Sequence, residues 1–484
     1  MSVAYLLAWC VVALAGATAM LVFCRRGQPG RIAFLAGQGL VFGMLLAAAA
    51  AALSARADTT HAWIHTLPWL GGITVFFFAL AFLLRRGLPH VPTPGVDDRE
   101  PYWVTLAAAI AMASLIWRGS ILAGEVLLRP TFPWDAWDAW AVKAKTWFLL
   151  GHYAAFVSPS DWIARSELNS YTGPAWAYPS VLSWLQVWFA SAAGDWIEPL
   201  VNLPWAALWL GLLLGHFGQW RALGLGRTRA LIFVYLLGSL PLLETHVALA
   251  GYADLWVGTV FGFAILAWLR WQEQGDRAQL VLALICAAIL PLLKLEGSVW
   301  SLTIVAAIGF GALPLPWRWR AALVGAALLT MLVLIGQSYV LFAAMGWVKS
   351  GSRVIDIPVI GSLALAWHGA AALGILHSLF AQANWHLLWW LVLPIVIWRW
   401  RVLRASDALG LCALLLALCF SLLLFLFLFT DAAEWAESYT AVNRLIMHIV
   451  PGLVSLLALL LRGPLPVSES IGTGSAPARL PDRG

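Results

Sequence analysis

The chain has 484 residues, of which 62% are hydrophobic and 11% are charged, with a mean hydropathy of +0.85 and a formal net charge of +6. Soluble domains carry about 25% charged residues, so this composition excludes a soluble protein and predicts an all-α polytopic membrane protein. The apolar segments are long rather than alternating, which excludes an outer-membrane barrel. No soluble basic domain is visible, so nucleic acid is not expected as a partner. The five cysteines lie in apolar segments without metal-like spacing, and no protein-built metal site is predicted.

Apolar segments long enough to cross a membrane recur along the chain, since a spanning helix needs about 20 apolar residues. We predict about thirteen of them, which begin near Ser2, Ile32, Leu67, Trp103, Leu200, Arg229, Asp254, Gln279, Gly297, Ala321, Trp385, Ala408 and Ile446. The arginines cluster in alternate loops, which the positive-inside rule makes cytoplasmic. The N-terminus is then outside and the C-terminus inside.

Two further apolar segments, 179–193 and 360–380, would put arginine clusters on the wrong side if they crossed the bilayer. We therefore expect both to be interfacial or re-entrant helices on the outer face, an environment that suits Trp184, Trp188 and Trp367. Three regions follow from this topology. Residues 1–95 are a three-span N-terminal module, residues 96–462 a membrane domain with an external loop at 128–198, and residues 463–484 a disordered cytoplasmic tail rich in Pro, Gly and Ser.

The external loop opens on the sequence Pro-Trp-Asp-Ala-Trp-Asp-Ala-Trp at 133–140. Charge beside a membrane is costly and tends to be functional. If Pro133 begins a helix, Asp135, Asp138 and Lys145 share one face, where Asp138 could pair with Lys145. Trp134 borders that face, and the opposite side carries Trp140, Lys143 and Trp147. The simpler alternative is a tryptophan belt whose charges face water.

Other polar groups on the predicted outer face come later in the chain. Asp254 follows Tyr252 at the head of a span, where the helix dipole alone would favour a carboxylate. Lys294 and Glu296 lie in a turn, and we expect this turn to present them separately because an i, i+2 pair does not meet on a helix. Arg444 and His448 enter the last span, where snorkelling to lipid headgroups is the alternative role of the arginine.

The lysines are distributed differently from the arginines. The chain has only four, and Lys143, Lys145, Lys294 and Lys349 all map to the outer side. Positive charge on the outer side is contrary to the positive-inside rule, so an anionic ligand at the outer face is the natural explanation. Arginine at position 444 could bind a phosphate in a bidentate manner.

Taken together, these residues resemble the GT-C superfamily of polyprenyl-phosphate-sugar-dependent glycosyltransferases. Its members include protein O-mannosyltransferases and bacterial aminoarabinose and lipopolysaccharide sugar transferases. The resemblance rests on the paired acids, the aromatic-proline stretch at 171–179, Asp254 and Lys294, and covers roughly residues 103–450. The chain departs from the family in two ways, because three spans precede the acidic loop and the two acids are three residues apart rather than adjacent.

The resemblance implies a role for each matching residue. Asp135 or Asp138 would be the catalytic acid of the first external loop, Asp254 the acid of the second, and Lys294 the basic residue near the donor phosphate. From the residues themselves we add Lys143, Lys145 and Arg444 as donor-binding groups and Asp135 as the favoured general base. The groups expected to line the sugar and acceptor site are Trp134, Trp137, Tyr171, Tyr252, Glu296 and His448.

The predicted function is that of an inverting hexosyl or pentosyl transferase of the bacterial inner membrane. It would move a sugar from a polyprenyl-phosphate donor to a hydroxyl of a glycolipid, polysaccharide or protein on the periplasmic face. A lipid-linked glycan polymerase or ligase, and a transporter or flippase of lipid-linked sugars, are the alternatives. No cofactor is required by the sequence, although a divalent cation (Mg²⁺ or Mn²⁺) bridging Asp135 or Asp138 to the phosphate stays open.

Overall fold

The computed structural model describes residues 2–87, 100–164, 169–318, 320, 323–325, 339–340, 347–349, 354–357 and 361–462. The tail predicted at 463–484 lies outside the described residues, as does most of the span predicted to begin near Ala321. Helices dominate the described chain and the strands are short, in agreement with the predicted all-α class.

The helices of the described chain are α1 (Val3–Leu21), α2 (Arg31–Ser54), α3 (Ala62–Gly87), α4 (Tyr102–Leu128), a π-helix (Ala136–Ala141), α5 (Val142–Leu150), α6 (Pro159–Ala164), α7 (Val181–Ala193), α8 (Glu198–Ala222), α9 (Arg227–Gly238), α10 (Pro241–Ala248), α11 (Asp254–Gln274), α12 (Arg277–Leu293), α13 (Gly297–Ala312), α14 (Gly369–Phe380), a 3₁₀ turn (Ala383–Trp385), α15 (Leu388–Trp398), α16 (Trp400–Ala405), α17 (Asp407–Phe429), α18 (Ala433–Glu437) and α19 (Val442–Leu460). Strands β1 (Ala155–Phe156) and β2 (Ser170–Tyr171) pair in parallel. An antiparallel sheet follows the order β3 (Tyr339–Val340), β4 (Trp347–Lys349), β5 (Val354–Ile357) and β6 (Gly361–Ala364).

Seven helices within the described ranges are long and apolar enough to cross a membrane, namely α1, α2, α3, α4, α8, α17 and α19. Helices α9 and α10 pass the same test as a pair, but they are bent by 61°. Pro241 begins α10, and proline suits the first turn of a new helix better than the interior of an existing one. The chain is therefore a multi-pass membrane protein with seven or eight candidate spans among its described residues, and the larger number of thirteen remains a prediction.

Helices α7 and α14 occupy the two segments that we predicted not to cross the bilayer. They have 13 and 12 residues, so at about 1.5 Å per residue each is roughly 20 Å long or less. A bilayer core is about 30 Å thick, and neither helix reaches across it. Helices α12, α13 and α15, which we predicted as spans, have 17, 16 and 11 residues, at or below the lower end of the usual range for a spanning helix, so their crossing of the membrane stays a prediction.

Helix α7 is enclosed by protein. It packs against α1, α2, α3, α5 and α8, and the indoles of Trp184 and Trp188 are only 2% and 0% exposed. The Trp188 indole N–H donates a hydrogen bond to Thr66 Oγ1 at 2.7 Å. An interfacial helix would present its aromatic side chains to lipid headgroups, so the expected exposure of Trp184 and Trp188 at an interface is wrong. The position of α7 at the outer face stays a prediction, and the helix forms a platform enclosed by protein.

This platform supports the external loop. Ser183 Oγ of α7 donates to the Trp140 carbonyl oxygen at 2.9 Å, and the Trp184 and Trp147 rings pack with centroids 4.8 Å apart. The buried side of the π-helix and α5 therefore carries Trp140, Lys143 and Trp147, the three residues that we predicted to lie opposite to the face of Asp135 and Asp138.

The N-terminal helices pack closely on the body of the protein through glycines. A Cβ atom at Gly16 of α1 would lie 1.7 Å from the carbonyl oxygen of Gly39 in α2. A Cβ atom at Gly37 of α2 would lie 2.2 Å from the backbone nitrogen of Gly215 in α8. Such small-residue contacts let helix backbones approach in a membrane, where the hydrophobic effect does not drive helix association.

Candidate functional site

The centre of the site is the carboxylate of Asp254, the first residue of α11, which is fully buried. Its Oδ1 atom accepts hydrogen bonds from Lys294 Nζ at 2.8 Å and from His448 Nε2 at 3.0 Å. Its Oδ2 atom accepts two more from Arg444, from Nε at 3.1 Å and from Nη2 at 2.8 Å. A carboxylate has about four lone-pair sites, so Asp254 is fully engaged and has no acceptor capacity left for a substrate.

The partners of Asp254 come from separate parts of the chain. Lys294 follows α12 in extended conformation, with φ −157° and ψ 152°, while Arg444 and His448 project from successive turns of α19. Burial alone would lower the pKa of Lys294, but the charges of Asp254 and Glu296 raise it above its usual value. Lys294 is therefore a permanent cation beside the buried carboxylate.

Lys294 also forms an ion pair with Glu296, with Nζ 3.0 Å from Oε1. The expectation that the turn presents these two side chains separately is wrong. Because Lys294 is extended while Glu296 has helical dihedral angles, the geometry that separates an i, i+2 pair on a helix does not apply.

The protonation state of His448 follows from its two partners. The Trp300 indole N–H donates to His448 Nδ1 at 3.0 Å. An indole nitrogen is only a donor, so Nδ1 must be unprotonated, and the proton of the neutral imidazole lies on Nε2, facing Asp254. His448 thus orients the Asp254 carboxylate and cannot accept a proton from a substrate while both bonds persist.

Arg444 connects the buried centre to the external loop. Its Nη2 atom donates to Asp135 Oδ2 as well as to Asp254 Oδ2, and its guanidinium lies 4.5 Å from the centroid of the Tyr252 ring. The exposed fraction of the side chains rises from 0% at Asp254 through 19% at Arg444 to 33% at Asp135. The cluster therefore opens on the Asp135 side, from which a ligand would approach.

Asp135 reaches the cluster because the loop segment before it is anchored. The Thr131 backbone N–H donates to Glu198 Oε2 at 2.9 Å, and the Trp137 indole N–H donates to the Thr131 carbonyl oxygen at 2.9 Å. Gly251 lies directly against Ala136, since a Cβ atom added at Gly251 would be 2.3 Å from Ala136 Cβ. Its φ of +115° is a conformation that residues with a side chain rarely adopt. Glycine at 251 therefore allows the start of the π-helix to approach Tyr252 and Arg444.

The two acids of the motif differ in their surroundings. Within the described residues the Asp138 side chain has no hydrogen bond or ion pair, whereas Asp135 is paired with Arg444. Partial burial and the charge of Asp135 raise the pKa of Asp138. Asp135 directly precedes the π-helix and Asp138 lies in its first turn, but only Asp135 contacts the cation cluster.

Lys143 and Lys145 do not join the cluster. Lys143 is buried, and its Nζ donates to the carbonyl oxygens of Trp176 and Tyr178 at 2.9 and 2.7 Å. Burial lowers its pKa to about 8. Lys145 Nζ lies 3.0 Å from Glu198 Oε1, so the predicted pairing of Asp138 with Lys145 is wrong. The π-helix, which carries more residues per turn than an α-helix, rotates Lys145 away from Asp138.

The predicted aromatic residues are divided between the cluster and the loop surface. Tyr252 contacts Arg444, and burial raises the pKa of its hydroxyl. Trp134 and Trp137 are 75% and 42% exposed, and the Tyr171 ring stacks on Phe156 with centroids 5.8 Å apart. Glu296 and His448, which we predicted to line a sugar site, instead hold Lys294 and Asp254 in place.

Sequence reasoning missed two residues that organise the site. Trp300 fixes the tautomer of His448, and Glu198 holds both Lys145 and the Thr131 backbone. Trp300 lies four residues after Glu296, on the same face at the start of α13, and Glu198 is the first residue of α8. One sequence signal could have identified them. Both residues lie near the start of a helix that begins at the predicted outer face.

In the part of the chain that the structure describes, no group of three or more His, Cys, Asp or Glu side chains is arranged to hold a metal ion. Comparison with protein-family models, with curated proteins and with solved structures finds no match for this chain. The resemblance to the GT-C superfamily therefore stays a prediction, and function must be argued from the site itself.

Proposed function

We propose that this protein is a membrane glycosyltransferase that transfers a sugar from a polyprenyl-phosphate donor to an acceptor hydroxyl, with the Asp254 cluster as its active site. The observation that carries the proposal is the position of Arg444, held between a buried carboxylate, Asp254, and a partly exposed one, Asp135. Such an arginine presents a fixed cation at the mouth of a site, as recognition of a phosphate requires.

Asp254 has an organising role in this proposal. Three of its four hydrogen bonds fix Lys294 and Arg444, and the fourth, from His448, fixes Asp254 in turn. A catalytic site works best when its charges are already in place before the reaction, in surroundings that exclude water. Asp254 would therefore position the cations and would not itself react with the sugar.

The donor phosphate would exchange with Asp135 at Arg444. The groups in contact carry three negative charges, on Asp135, Asp254 and Glu296, and two positive ones, on Lys294 and Arg444. A phosphate that binds Arg444 adds negative charge and releases Asp135 from its ion pair. The freed carboxylate of Asp135 can then turn to the acceptor hydroxyl while the donor is bound.

Transfer would then proceed in one displacement. Asp135 removes the proton from the acceptor hydroxyl as its oxygen forms a bond to the anomeric carbon. The bond between the anomeric carbon and the phosphate oxygen breaks, and its electron pair leaves with the polyprenyl phosphate. Arg444 and Lys294 stabilise the charge that develops on that oxygen. Attack opposite the leaving group inverts the configuration of the sugar.

The test compares Asp135→Asn with Asp138→Asn in proteoliposomes that contain a polyprenyl-phosphate sugar. Asp135→Asn should lower the transfer rate by at least about 10²-fold, the contribution typical of a general base, and should leave donor binding intact because Arg444 is then free. Asp138→Asn is the matched control, and its transfer rate should fall by a smaller factor. A nearly normal rate for Asp135→Asn beside an inactive Asp138→Asn would assign the base to Asp138. Full activity of both variants would remove the motif from the mechanism.

A further inference from the structure

A large cavity lies between α14, α15, α17 and α19, and none of the residues of the Asp254 cluster line it. Its volume is about 1280 Å³ and its wall is almost entirely apolar. Pockets for small molecules usually measure about 300–1,000 Å³. α17 lines the cavity from Asp407 to Leu428, a length of about 32 Å at 1.5 Å per residue. These dimensions suit hydrocarbon chains that lie along the bilayer normal.

One end of the cavity is basic. Arg318 lines it and is fully engaged, with Nη1 2.6 and 2.8 Å from the two carboxylate oxygens of Asp407 and further bonds to backbone carbonyls. Arg404 also lines this end, is exposed, and contacts the Trp400 ring at 5.9 Å. Among the described residues no carboxylate pairs with Arg404, or with the exposed Arg401 of the same short helix. The Arg404 guanidinium is therefore available at the mouth, and Arg401 lies one helical turn before it in α16.

Trp400 lines the same end of the cavity, and Trp398 precedes it closely in the chain. Trp398 and Trp400 are 71% and 51% exposed, and Arg399 lies 5.6 Å from the centroid of the Trp398 ring. Exposed tryptophans beside arginines are typical of the level of lipid headgroups. The arginine pattern of the chain assigns this end to the cytoplasmic side, opposite to the Asp254 cluster.

We infer that the cavity binds an anionic glycerophospholipid of the cytoplasmic leaflet, with its acyl chains in the groove and its phosphate on Arg401 and Arg404. Guanidinium groups bind phosphate oxygens in pairs, and basic pockets between membrane helices on the cytoplasmic side bind anionic headgroups. A zwitterionic lipid has the same chains, but its own amine offsets the phosphate, so charge selects between the two. This inference is independent of the proposed transferase activity.

The test measures binding of phosphatidylglycerol and phosphatidylcholine with identical acyl chains to the purified full chain by native mass spectrometry. Each arginine near an anionic headgroup contributes about a fivefold gain in affinity. Arg401→Gln/Arg404→Gln should therefore lower the affinity for phosphatidylglycerol by about 25-fold and bring it close to that for phosphatidylcholine. Arg26→Gln, which changes an exposed arginine of another predicted cytoplasmic loop, is the matched control and should keep the preference.

A second variant tests the groove itself. Gly410 lines the cavity, and a Cβ atom there would lie 3.5 Å from the Leu403 carbonyl oxygen, an ordinary contact. Gly410→Leu should therefore fold. It should weaken the binding of both lipids equally, because the new side chain fills space for acyl chains without changing the charge. Equal affinity of the unmodified protein for the two lipids would overturn the inference. An undiminished preference for phosphatidylglycerol in the double arginine variant would also overturn it. So would a Gly410→Leu variant that, with polyprenyl phosphate as a third ligand, loses binding of polyprenyl phosphate alone.

Discussion

Gly251→Ala is the most direct test of how the site is assembled. The new methyl group would lie 2.3 Å from Ala136 Cβ, whereas non-bonded carbon atoms pack at about 3.5–4.0 Å. The start of the π-helix must therefore move by about 1.2 Å or more. Asp135 precedes Ala136 directly, so its carboxylate moves away from Arg444. A misplacement of about 1 Å in a catalytic group can cost about 10²-fold in rate, and we expect a loss of that order.

A matched control separates this displacement from backbone strain. Gly275, at the other end of α11, has φ +62° and nothing within 4 Å of an added Cβ atom. Gly275→Ala therefore carries the strain of a positive φ, roughly 1–3 kcal/mol, without the clash. Thermal unfolding should shift in both variants, but sugar transfer in proteoliposomes should fall only in Gly251→Ala. Ala136→Gly in the Gly251→Ala background removes the clashing methyl group and should restore much of the rate. Equal transfer rates for the two single alanine variants would refute the reasoning.

Three further predictions concern the surrounding groups. His448→Gln, whose amide can still donate to Asp254, should retain more transfer activity than His448→Phe, which leaves a buried carboxylate with one donor fewer; equal rates for the two would show that this hydrogen bond is unimportant. Burial lowers the pKa of Lys143 from its ordinary value of 10.5 to about 8. Between these two pH values the unfolded chain binds more protons than the folded one, so the free energy of unfolding should rise with pH over this interval. Lys143→Met should abolish this rise in thermal unfolding curves. Transfer should continue after EDTA treatment, because in the proposed mechanism Arg444 and Lys294 bind the donor phosphate directly. Loss of activity that Mn²⁺ restores would instead show that a divalent cation bridges the phosphate to the protein.

The convergence of Asp135, Asp254, Lys294 and Arg444 was predictable because topology alone brings such residues to one side of a membrane. The loop charges assigned all four to the outer face, and their direct hydrogen bonds confirm that they lie together. Charged groups are costly in the apolar interior of a membrane protein, so opposite charges on the same face pair with each other. The role of the cluster in catalysis stays a proposal.

Details that depend on local backbone geometry could not be predicted in the same way. The π-helix at Ala136–Ala141 changes which side Lys145 faces, and the extended conformation of Lys294 lets it pair with Glu296. The contact between Trp300 and His448 joins residues 148 positions apart. No periodicity in the sequence encodes such a contact, because it arises from the packing of α13 against its neighbours.

The ion pairs of Asp254 also bear on how the protein is made. Its carboxylate and Lys294 are synthesised first, whereas Arg444 and His448 follow only with α19. Until that helix inserts, the buried carboxylate lacks the donors of Arg444 and His448, and a buried charge without its partners is costly. Insertion of α19 thus locks the earlier helices in place. A nascent chain that stops before this helix would be left open to the quality-control proteases of the membrane.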